Sequence, residues 1–305
     1  MLAALLTTCM FAVSVICGHR SAVLIGGVQA NFWRISLAGF FLAIWTALMG
    51  FQIDYAALPY FMLSGFLGIG LGDTAYFQAL PRLGSRRTAL ISQCLTAPFA
   101  ALIEWVWLGT KLNLTEIGCI AIILTGVAIA LVPSDHVKIS ARNWKIGIVA
   151  SALGALGGAF GVVCSRKAFA VATIHADAGT SGFERVLGGI AIPVITLLVI
   201  KWRATRTADP ARVENTPAAA REKWRKVWPW VLANSLAGQT LGVTFMQLAL
   251  AHTEAAIVTA ITATTPILLL PMTRWLDGEK ICARSIIGGV VGVGGVIGLT
   301  FARLK

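Results

Sequence analysis

The sequence predicts an all-α integral membrane protein with ten transmembrane helices, arranged as two inverted-topology five-helix repeats around a central cavity. Three observations predict this fold class. Apolar residues make up 57% of the 305-residue chain and charged residues only 12%, against roughly 45–50% and 25% in an ordinary soluble domain. The apolar residues form ten runs of about the length that crosses a bilayer. Short motifs also recur in the same order in both halves of the chain.

Each predicted helix is an apolar run bounded by charged residues, proline, asparagine or aspartate. Only Pro81 to Ser85 separate the third helix from the fourth, and only His252 to Glu254 separate the eighth from the ninth. Connections this short require the neighbouring helices to be antiparallel. The predicted helices cover residues 2–24, 30–49, 56–80, 86–108, 114–132, 146–170, 182–200, 228–251, 255–276 and 282–302.

Loop charge predicts the orientation of these helices. Of the 25 Lys and Arg residues, 19 fall on the membrane side opposite the two termini, and eight of those lie in segment 201–226, which we expect to be a flexible basic loop. Cytoplasmic loops carry the excess of Lys and Arg. We therefore expect a multi-pass protein of the plasma (inner) membrane with both termini non-cytoplasmic.

Charge and cysteine content exclude several function classes. The net charge of +12 does not indicate nucleic-acid binding, because the basic residues lie between apolar runs and no nucleic-acid-binding motif is present. Basic loops that face an anionic membrane surface explain this charge. The six cysteines show no metal-binding spacing. Catalytic motifs are also missing, so the sequence predicts no enzyme, no metal site and no cofactor.

The internal repeat is the most informative pattern in the sequence. Its first copy lies in residues 1–133 and its second in residues 144–305. Five helices per copy is an odd number, so the two copies cross the membrane in opposite senses, as in many secondary transporters. The matching positions are Arg34 with Arg185, Gly72 with Gly242, Ala79-Leu80 with Ala249-Leu250, Pro98 with Pro266, and Gly109-Thr110-Lys111 with Gly278-Glu279-Lys280.

These motifs resemble the EamA family of the drug/metabolite transporter superfamily over nearly the whole chain. The resemblance implies a ten-helix transporter with a central cavity and no particular substrate. Two features depart from the family pattern: Thr110 replaces the usual Glu, and Arg82, Arg86 and Arg87 crowd a turn that is usually uncharged.

Asp73 is the deepest acidic residue and the first candidate for function. It follows Gly65, Gly68 and Gly72, which form a smooth helix face for close packing. An acid inside a span costs about 2.5–3.5 kcal/mol at the centre, so Asp73 should point into the bundle. It is either a coupling acid or substrate anchor, or a structural acid paired with an interior arginine.

Other polar residues could line a cavity beside Asp73. Gln93 and Glu104 share one face of the fourth helix, although Glu104 could instead reach the interface. Arg34 and Arg185 could attract anionic substrates or extend to the lipid headgroups, and Glu184 could pair with Arg185. Weaker candidates are Gln78, Gln239 and Gln247.

Pro98 and Pro266 should bend the fourth and ninth helices, because proline cannot donate a backbone hydrogen bond. Hydroxyl side chains near them, including Thr262, could satisfy the freed carbonyls or bind substrate. We therefore expect these two helices to line the pathway.

The leading hypothesis is a secondary transporter or exporter of small metabolites or amphipathic compounds that works by alternating access. Such a transporter could be coupled to protons. The alternative is a non-transporting scaffold or lipid-handling membrane protein. The expected partners are the lipid bilayer and a small-molecule substrate, without nucleic acid. Ten helices suffice for a monomer, but the glycine-rich tenth helix could also form the face of a homodimer.

Overall fold

The part of the chain that the computed structural model describes is helical almost throughout. It contains no β-strand, which confirms the prediction of an all-α protein. The two Gly-x-Lys turns at 109–111 and 278–280 lie outside it. The described residues are 2–108, 113–131, 139–174, 177–206, 217–252, 255–276 and 283–303.

Five helices occupy the first part of the chain. The third is composite, because a π-helical segment, Phe66–Asp73, joins two α-helical segments, Leu58–Gly65 and Thr74–Leu83. Gly84 has φ of 84°, which lets the chain turn sharply into the fourth helix. The helices are α1 (Leu2–Ile25), α2 (Gly27–Leu48), α3 (58–83), α4 (Ser85–Leu108) and α5 (Leu114–Leu131).

Five further helices follow, and three of them are composite. The seventh joins Ala178–Gly189 to Ala191–Arg206, the eighth contains a π-helical segment, and the ninth is interrupted at residues 263–264. The segments of the eighth are Pro217–Asn234, Ser235–Gly242 and Val243–His252, and those of the ninth are Ala255–Thr262 and Thr265–Leu276. The helices are α6 (Ala141–Val171), α7 (178–206), α8 (217–252), α9 (255–276) and α10 (Ala283–Arg303).

These helices coincide with the ten predicted runs except at segment 201–226, which the sequence suggested was a flexible loop. The structure shows helix up to Arg206 and again from Pro217, so α8 begins 11 residues before the predicted position 228. Pro217 suits the first turn of a helix because its fixed φ is helical, and three alanines with high helix propensity follow it. Residues 207–216 lie outside the described residues.

The length and surface of the helices show a membrane protein. Among the described residues, six helices are long and apolar enough to cross a bilayer: α1, α2, α4, α6, α7 and α10. Helices α3 and α9 are divided into short α-helical segments, and the 18-residue first segment of α8 is charged and not apolar. Large apolar side chains face outward, with Leu48 76%, Leu114 85% and Trp275 93% exposed. The chain is therefore a multi-pass integral membrane protein.

Glycines bring α3 into backbone contact with α6 and α7. A Cβ added to Gly157 of α6 would lie 2.6 Å from the Cα of Gly72, and one added to Gly161 would lie 3.4 Å from the Cα of Gly68. On the other flank, a Cβ on Gly65 would collide with the carbonyl oxygen of Arg185 in α7. The predicted smooth face of α3 is therefore a tight helix-packing surface.

Helices α5 and α10 form a second glycine-mediated contact. A Cβ added to Gly126 would lie 2.8 Å from the carbonyl oxygen of Gly288 and would overlap the backbone of Gly292. Ile123 and Val296 fill the adjoining core and are both fully buried. Gly288 and Gly292 of α10 therefore pack against α5 within this chain.

Asp54 ties together the loops that follow α2 and α6. Its carboxylate accepts hydrogen bonds from the backbone N–H groups of Ala56, Thr173 and Ile174 and from the Thr173 hydroxyl. Hydrogen bonds that stabilise the ionised carboxylate, with Ile174 first among them, lower the pKa of Asp54 to about 2. Asp54 therefore acts as a clamp between these two loops.

Candidate functional site

A cavity of about 180 Å³ lies in the middle of the helix bundle. Side chains or backbone from α1 to α4 and from α6 to α9 line it, whereas none of its lining residues comes from the described parts of α5 or α10. Most of the lining is apolar or glycine, and its charged members are Arg34, Asp73 and Arg185. The polar residues that line it are Ser14, Arg34, Asp73, Tyr76, Ser92, Gln93, Thr96, Arg185, Gln239, Thr259 and Thr262.

Arg34 of α2 holds three helices together at this cavity. Its Nη2 forms an ion pair of 2.6 Å with Oδ2 of Asp73 in α3 and donates a 3.0 Å hydrogen bond to Oδ1 of Asn31. Its Nη1 donates a 3.2 Å hydrogen bond to Oε1 of Gln239 in α8. The guanidinium also lies over the ring of Phe77, 4.7 Å from its centroid. Arg34 is therefore an interior residue and does not extend to the headgroups.

Asp73 is the last residue of the π-helical segment of α3. The wider turn of a π-helix shifts the direction of the side chains that follow it, and such segments are frequent at functional sites. The Asp73 side chain is 30% exposed and lines the cavity, whereas Arg34 is only 6% exposed. The structure thus combines the two alternatives for Asp73, because an acid paired with an interior arginine also faces a cavity.

Arg185 of α7 lies in the cavity wall with weaker partners. Its Nη1 donates a 3.3 Å hydrogen bond to Oε1 of Gln247, and its Nε has no hydrogen-bond partner among the described residues. A Cβ on Gly68 or Gly161 would lie within 3.5 Å of its Nη2, so these glycines make room for the guanidinium. Although both side chains are described, Glu184 and Arg185 form no ion pair.

A polar network continues behind Arg185. The amide of Gln247 donates a 3.5 Å hydrogen bond to the hydroxyl of Ser165, which lies 2.8 Å from the hydroxyl of Ser64. The Ser64 hydroxyl in turn donates to the carbonyl of Gly161, at 2.6 Å. Gln247 therefore supports Arg185 from behind and does not line the cavity, whereas Gln239 does.

The structure separates the remaining predicted residues. Gln93 and Thr262 line the cavity with Arg34, Asp73, Arg185 and Gln239. Gln78 does not line it, because its side-chain oxygen accepts a 2.8 Å hydrogen bond from Arg82, one turn further along α3. Glu104 belongs to α4, but its side chain lies outside the part of the structure that is described.

The two predicted proline positions differ in the structure. Helix α4 continues through Pro98, and the nearby Thr96 hydroxyl donates a 2.7 Å hydrogen bond to the carbonyl of Ser92. Helix α9 is interrupted just before Pro266, and the Thr265 hydroxyl donates a 2.5 Å hydrogen bond to the carbonyl of Thr262. The Thr265 hydroxyl thus satisfies the carbonyl of Thr262, to which Pro266 cannot donate, whereas the hydroxyl beside Pro98 bonds to Ser92 and not to the freed carbonyl of Cys94.

Sequence reasoning missed the contribution of α1 and α6 to the cavity. Phe11 and Ser14 of α1 line it, and the Ser14 hydroxyl donates a 2.7 Å hydrogen bond to Oδ1 of Asn234. From α6 the lining includes Gly154 and Gly158. The four-residue spacing of these two glycines on one helix face is the signal that could have revealed α6. Ser14 carries no such signal, because a single serine in a span usually bonds to its own helix.

Comparisons with known proteins agree with this architecture. Residues 1–132 match the EamA-like transporter family. A comparison with curated proteins finds no match. Among 28 matching chains of solved structures, one described only as the crystal structure of a protein has a TM-score of 0.63 and 15% identity, over 99% of this chain and 98% of that one. That likeness shows the fold alone. The match over residues 1–132 confirms the resemblance to the EamA-like transporter family, part of the drug/metabolite transporter superfamily, that the motifs predict.

Proposed function

We propose that the protein is a secondary transporter that moves a small solute by alternating access of two inverted five-helix halves, residues 1–133 and 144–305. The observation that carries this proposal is the central cavity. Four helices of each half line it, and its charged side chains come from both halves. A site at the interface between repeats is where inverted-repeat transporters bind their substrates.

The composite helices support the inverted repeat. The π-helical segments Phe66–Asp73 in α3 and Ser235–Gly242 in α8 each span eight residues and end at or next to the matched glycines, Gly72 and Gly242. The matched arginines of α2 and α7 each bond to a glutamine of α8. Two halves with the same local departure from α-helix at the same place are consistent with a common ancestral unit.

The charges of the cavity favour a solute with an apolar body and an anionic group such as a carboxylate. Two arginines and one aspartate line the described part of the cavity, and Arg34 already pairs with Asp73. Arg185 is only 6% exposed, and its one hydrogen bond among the described residues is to the neutral amide of Gln247. A buried cation without a direct ion pair is costly, and a solute carboxylate would supply that pair. The apolar lining suits the rest of an amphipathic molecule.

Asp73 is our proposed coupling residue. Protonation of its carboxylate would remove the charge that holds Arg34 and weaken the tie between α2 and α3. A proton bound in one orientation of the transporter and released in the other would then link solute movement to the proton gradient. The Arg34–Asp73 ion pair can therefore be intact or broken, and both the proton and the solute can shift the equilibrium between these two states.

Flux in proteoliposomes tests the proposal. The purified protein should exchange labelled amphipathic carboxylates across a sealed membrane, and a proton gradient should raise their accumulation. Asp73→Asn should retain the fold and lose the gradient-driven component. Glu222→Gln removes an acid on the exposed start of α8 and serves as the matched control, since it should transport normally. Gradient-driven uptake that persists in Asp73→Asn would refute the coupling role.

The same vesicles separate transport from the alternative function. If carboxylates, cations and neutral amphipathic solutes all fail to cross, the proposal is wrong and a scaffold or lipid-handling role takes its place. Orientation is part of the proposal: both termini lie outside the cytoplasm of a plasma (inner) membrane. A reporter that is active only in the cytoplasm should stay silent when it is fused to either terminus.

A further inference from the structure

An open groove separate from the central cavity lies between the start of α8 and the first turns of α2. Its volume is about 670 Å³, and it is lined by Trp33, Arg221, Trp224, Arg225 and Trp228. The four residues from α8 follow the spacing i, i+3, i+4 and i+7, which places them on one face of that helix. The groove therefore combines an aromatic wall with two guanidinium groups.

The aromatic wall is fixed by edge-to-face contacts. The ring of Trp33 in α2 lies 5.4 Å from the ring of Trp224 and 6.2 Å from that of Trp228 in α8, at interplanar angles of 77° and 78°. Pairs of this geometry are favourable beyond the area that they bury. The wall therefore joins two helices, and it presents a pre-formed apolar surface next to the arginines.

The position of the groove along α8 matches the headgroup level of a bilayer. Residues 221–226, close to the start of the helix, are charged and exposed except for the half-buried Trp224, and from Val227 onward the sequence becomes apolar. Tryptophan is enriched at this boundary in membrane proteins, because its ring is apolar and its N–H is polar. A ligand in the groove would therefore contact headgroups on one side and acyl chains on the other.

The two arginines of the groove are available to a ligand. Both are exposed, and neither forms an ion pair or hydrogen bond with a described residue. The neighbouring lysine behaves differently, because Lys226 pairs with Glu222 at 2.8 Å on another face of the same helix. Positive charge beside the tryptophan wall thus remains without a protein counter-ion in the described part of the chain.

We propose that this groove binds one anionic phospholipid, with its phosphate between Arg221 and Arg225 and its glycerol and upper acyl chain against the three tryptophans. Guanidinium groups form paired hydrogen bonds with phosphate oxygens. Free phosphate would leave the aromatic wall unused, so the lipid is the occupant that satisfies both surfaces. The bound lipid bridges α2 and α8, the helices that carry Arg34 and Gln239.

Native mass spectrometry of the detergent-solubilised protein tests this site, with phosphatidylglycerol and phosphatidylcholine added in parallel. In detergent the protein does not experience the negative surface potential of an anionic bilayer, so only direct contacts contribute to lipid binding. Arg221→Gln with Arg225→Gln should weaken phosphatidylglycerol binding by about tenfold, given that each exposed ion pair contributes up to about 1 kcal/mol. Lys223→Gln with Lys226→Gln is the matched control, because it removes the same charge from the same segment outside the groove.

The expected result is tighter binding of phosphatidylglycerol than of phosphatidylcholine, lost in the arginine pair and kept in the lysine pair. Equal affinity for the two lipids would overturn the proposal, as would equal losses in the two double variants. Binding of millimolar inorganic phosphate in the absence of added lipid, lost in the arginine pair, would show a free anion site instead and would overturn the proposal. Both double variants change exposed side chains, and unchanged melting temperatures in phosphatidylcholine would verify that they fold.

Discussion

Arg34 and Arg185 occupy matched positions in the two halves of the sequence, but their surroundings differ. Arg34 has a carboxylate at 2.6 Å and two further side-chain partners, which lie on its own helix and on α8. Arg185 has one neutral amide at 3.3 Å as its hydrogen-bond partner, and the Nε atoms of both arginines lack a described partner. Under the proposed function, Arg34 holds helices together, whereas Arg185 pairs with the anionic group of the solute. The following predictions test this division.

The largest expected effect is the loss of stability in Arg34→Gln. This change leaves the Asp73 carboxylate without its counter-ion and removes the hydrogen bond to α8. Breaking a buried pair by removing one partner costs about 3–5 kcal/mol, and we expect about 3 kcal/mol because Asp73 is 30% exposed. Thermal unfolding in detergent measures it. A stability equal to that of wild type would mean that the ion pair does not hold the helices.

A double-mutant cycle sharpens the same point. If Arg34 and Asp73 act as a pair, Arg34→Gln combined with Asp73→Asn should be less damaging than the sum of the single changes. We expect a coupling energy of about 2 kcal/mol, within the range for residues in direct contact. The matched cycle of Arg185→Gln with Asp73→Asn should give a smaller value. Equal coupling in both cycles would remove the distinction between the arginines.

Arg185→Gln should act on solute binding more than on stability. Loss of one charge-assisted contact should weaken binding of a carboxylate solute by about tenfold. The melting temperature without solute should change little, because the lost hydrogen bond is long. Solute-dependent thermal shift measures the affinity. Arg166→Gln, an exposed arginine of α6, is the control and should bind normally. Unchanged affinity in Arg185→Gln would assign both arginines to structure.

A smaller effect is expected at Asp54, which joins the loop after α2 to the loop between α6 and α7. Asp54→Asn should lower the melting temperature by several degrees at neutral pH, because the amide replaces a carboxylate that accepts bonds from Ala56, Thr173 and Ile174. The lowered pKa makes this stabilisation fully present above about pH 4 and lost as the pH falls toward about 2. The difference in melting temperature between wild type and Asp54→Asn should therefore shrink from pH 7 to pH 3 and vanish near pH 2. A constant difference would show that the carboxylate charge is not the cause.

The smallest expected effect comes from Gln78. Its side chain accepts a hydrogen bond from Arg82 and does not line the cavity. Gln78→Leu should therefore transport normally, whereas Gln93→Leu changes a cavity residue and should alter solute affinity. The comparison of these two variants tests whether Gln93, and not Gln78, lines the cavity. Equal effects of the two substitutions on flux would place Gln78 on the pathway.

The sequence predicted the helices better than it predicted their contacts. A run of apolar residues long enough to cross the bilayer predicts a helix, and nine of the predicted runs lie close to the observed helices. The start of α8 differs because its first turns are amphipathic and contain no apolar run. The inward position of Asp73 followed from the cost of an acid in lipid, whereas the sequence left open whether Gln93 lines a cavity and whether Arg34 extends to the headgroups. The pairing of Arg34 with Asp73 did not follow from the sequence, because 39 residues separate them and only the packing of α2 against α3 brings them together.

The contact between α5 and α10 separates two kinds of evolutionary change. These helices meet through glycine backbone, and their described residues take no part in the cavity wall. Substitutions that alter solute choice can accumulate in the eight other helices without disturbing this contact. Conversely, a side chain larger than hydrogen at Gly126 or Gly292 would force the two backbones apart. Under the proposed function, the stability of the fold and the choice of solute can therefore change independently during evolution.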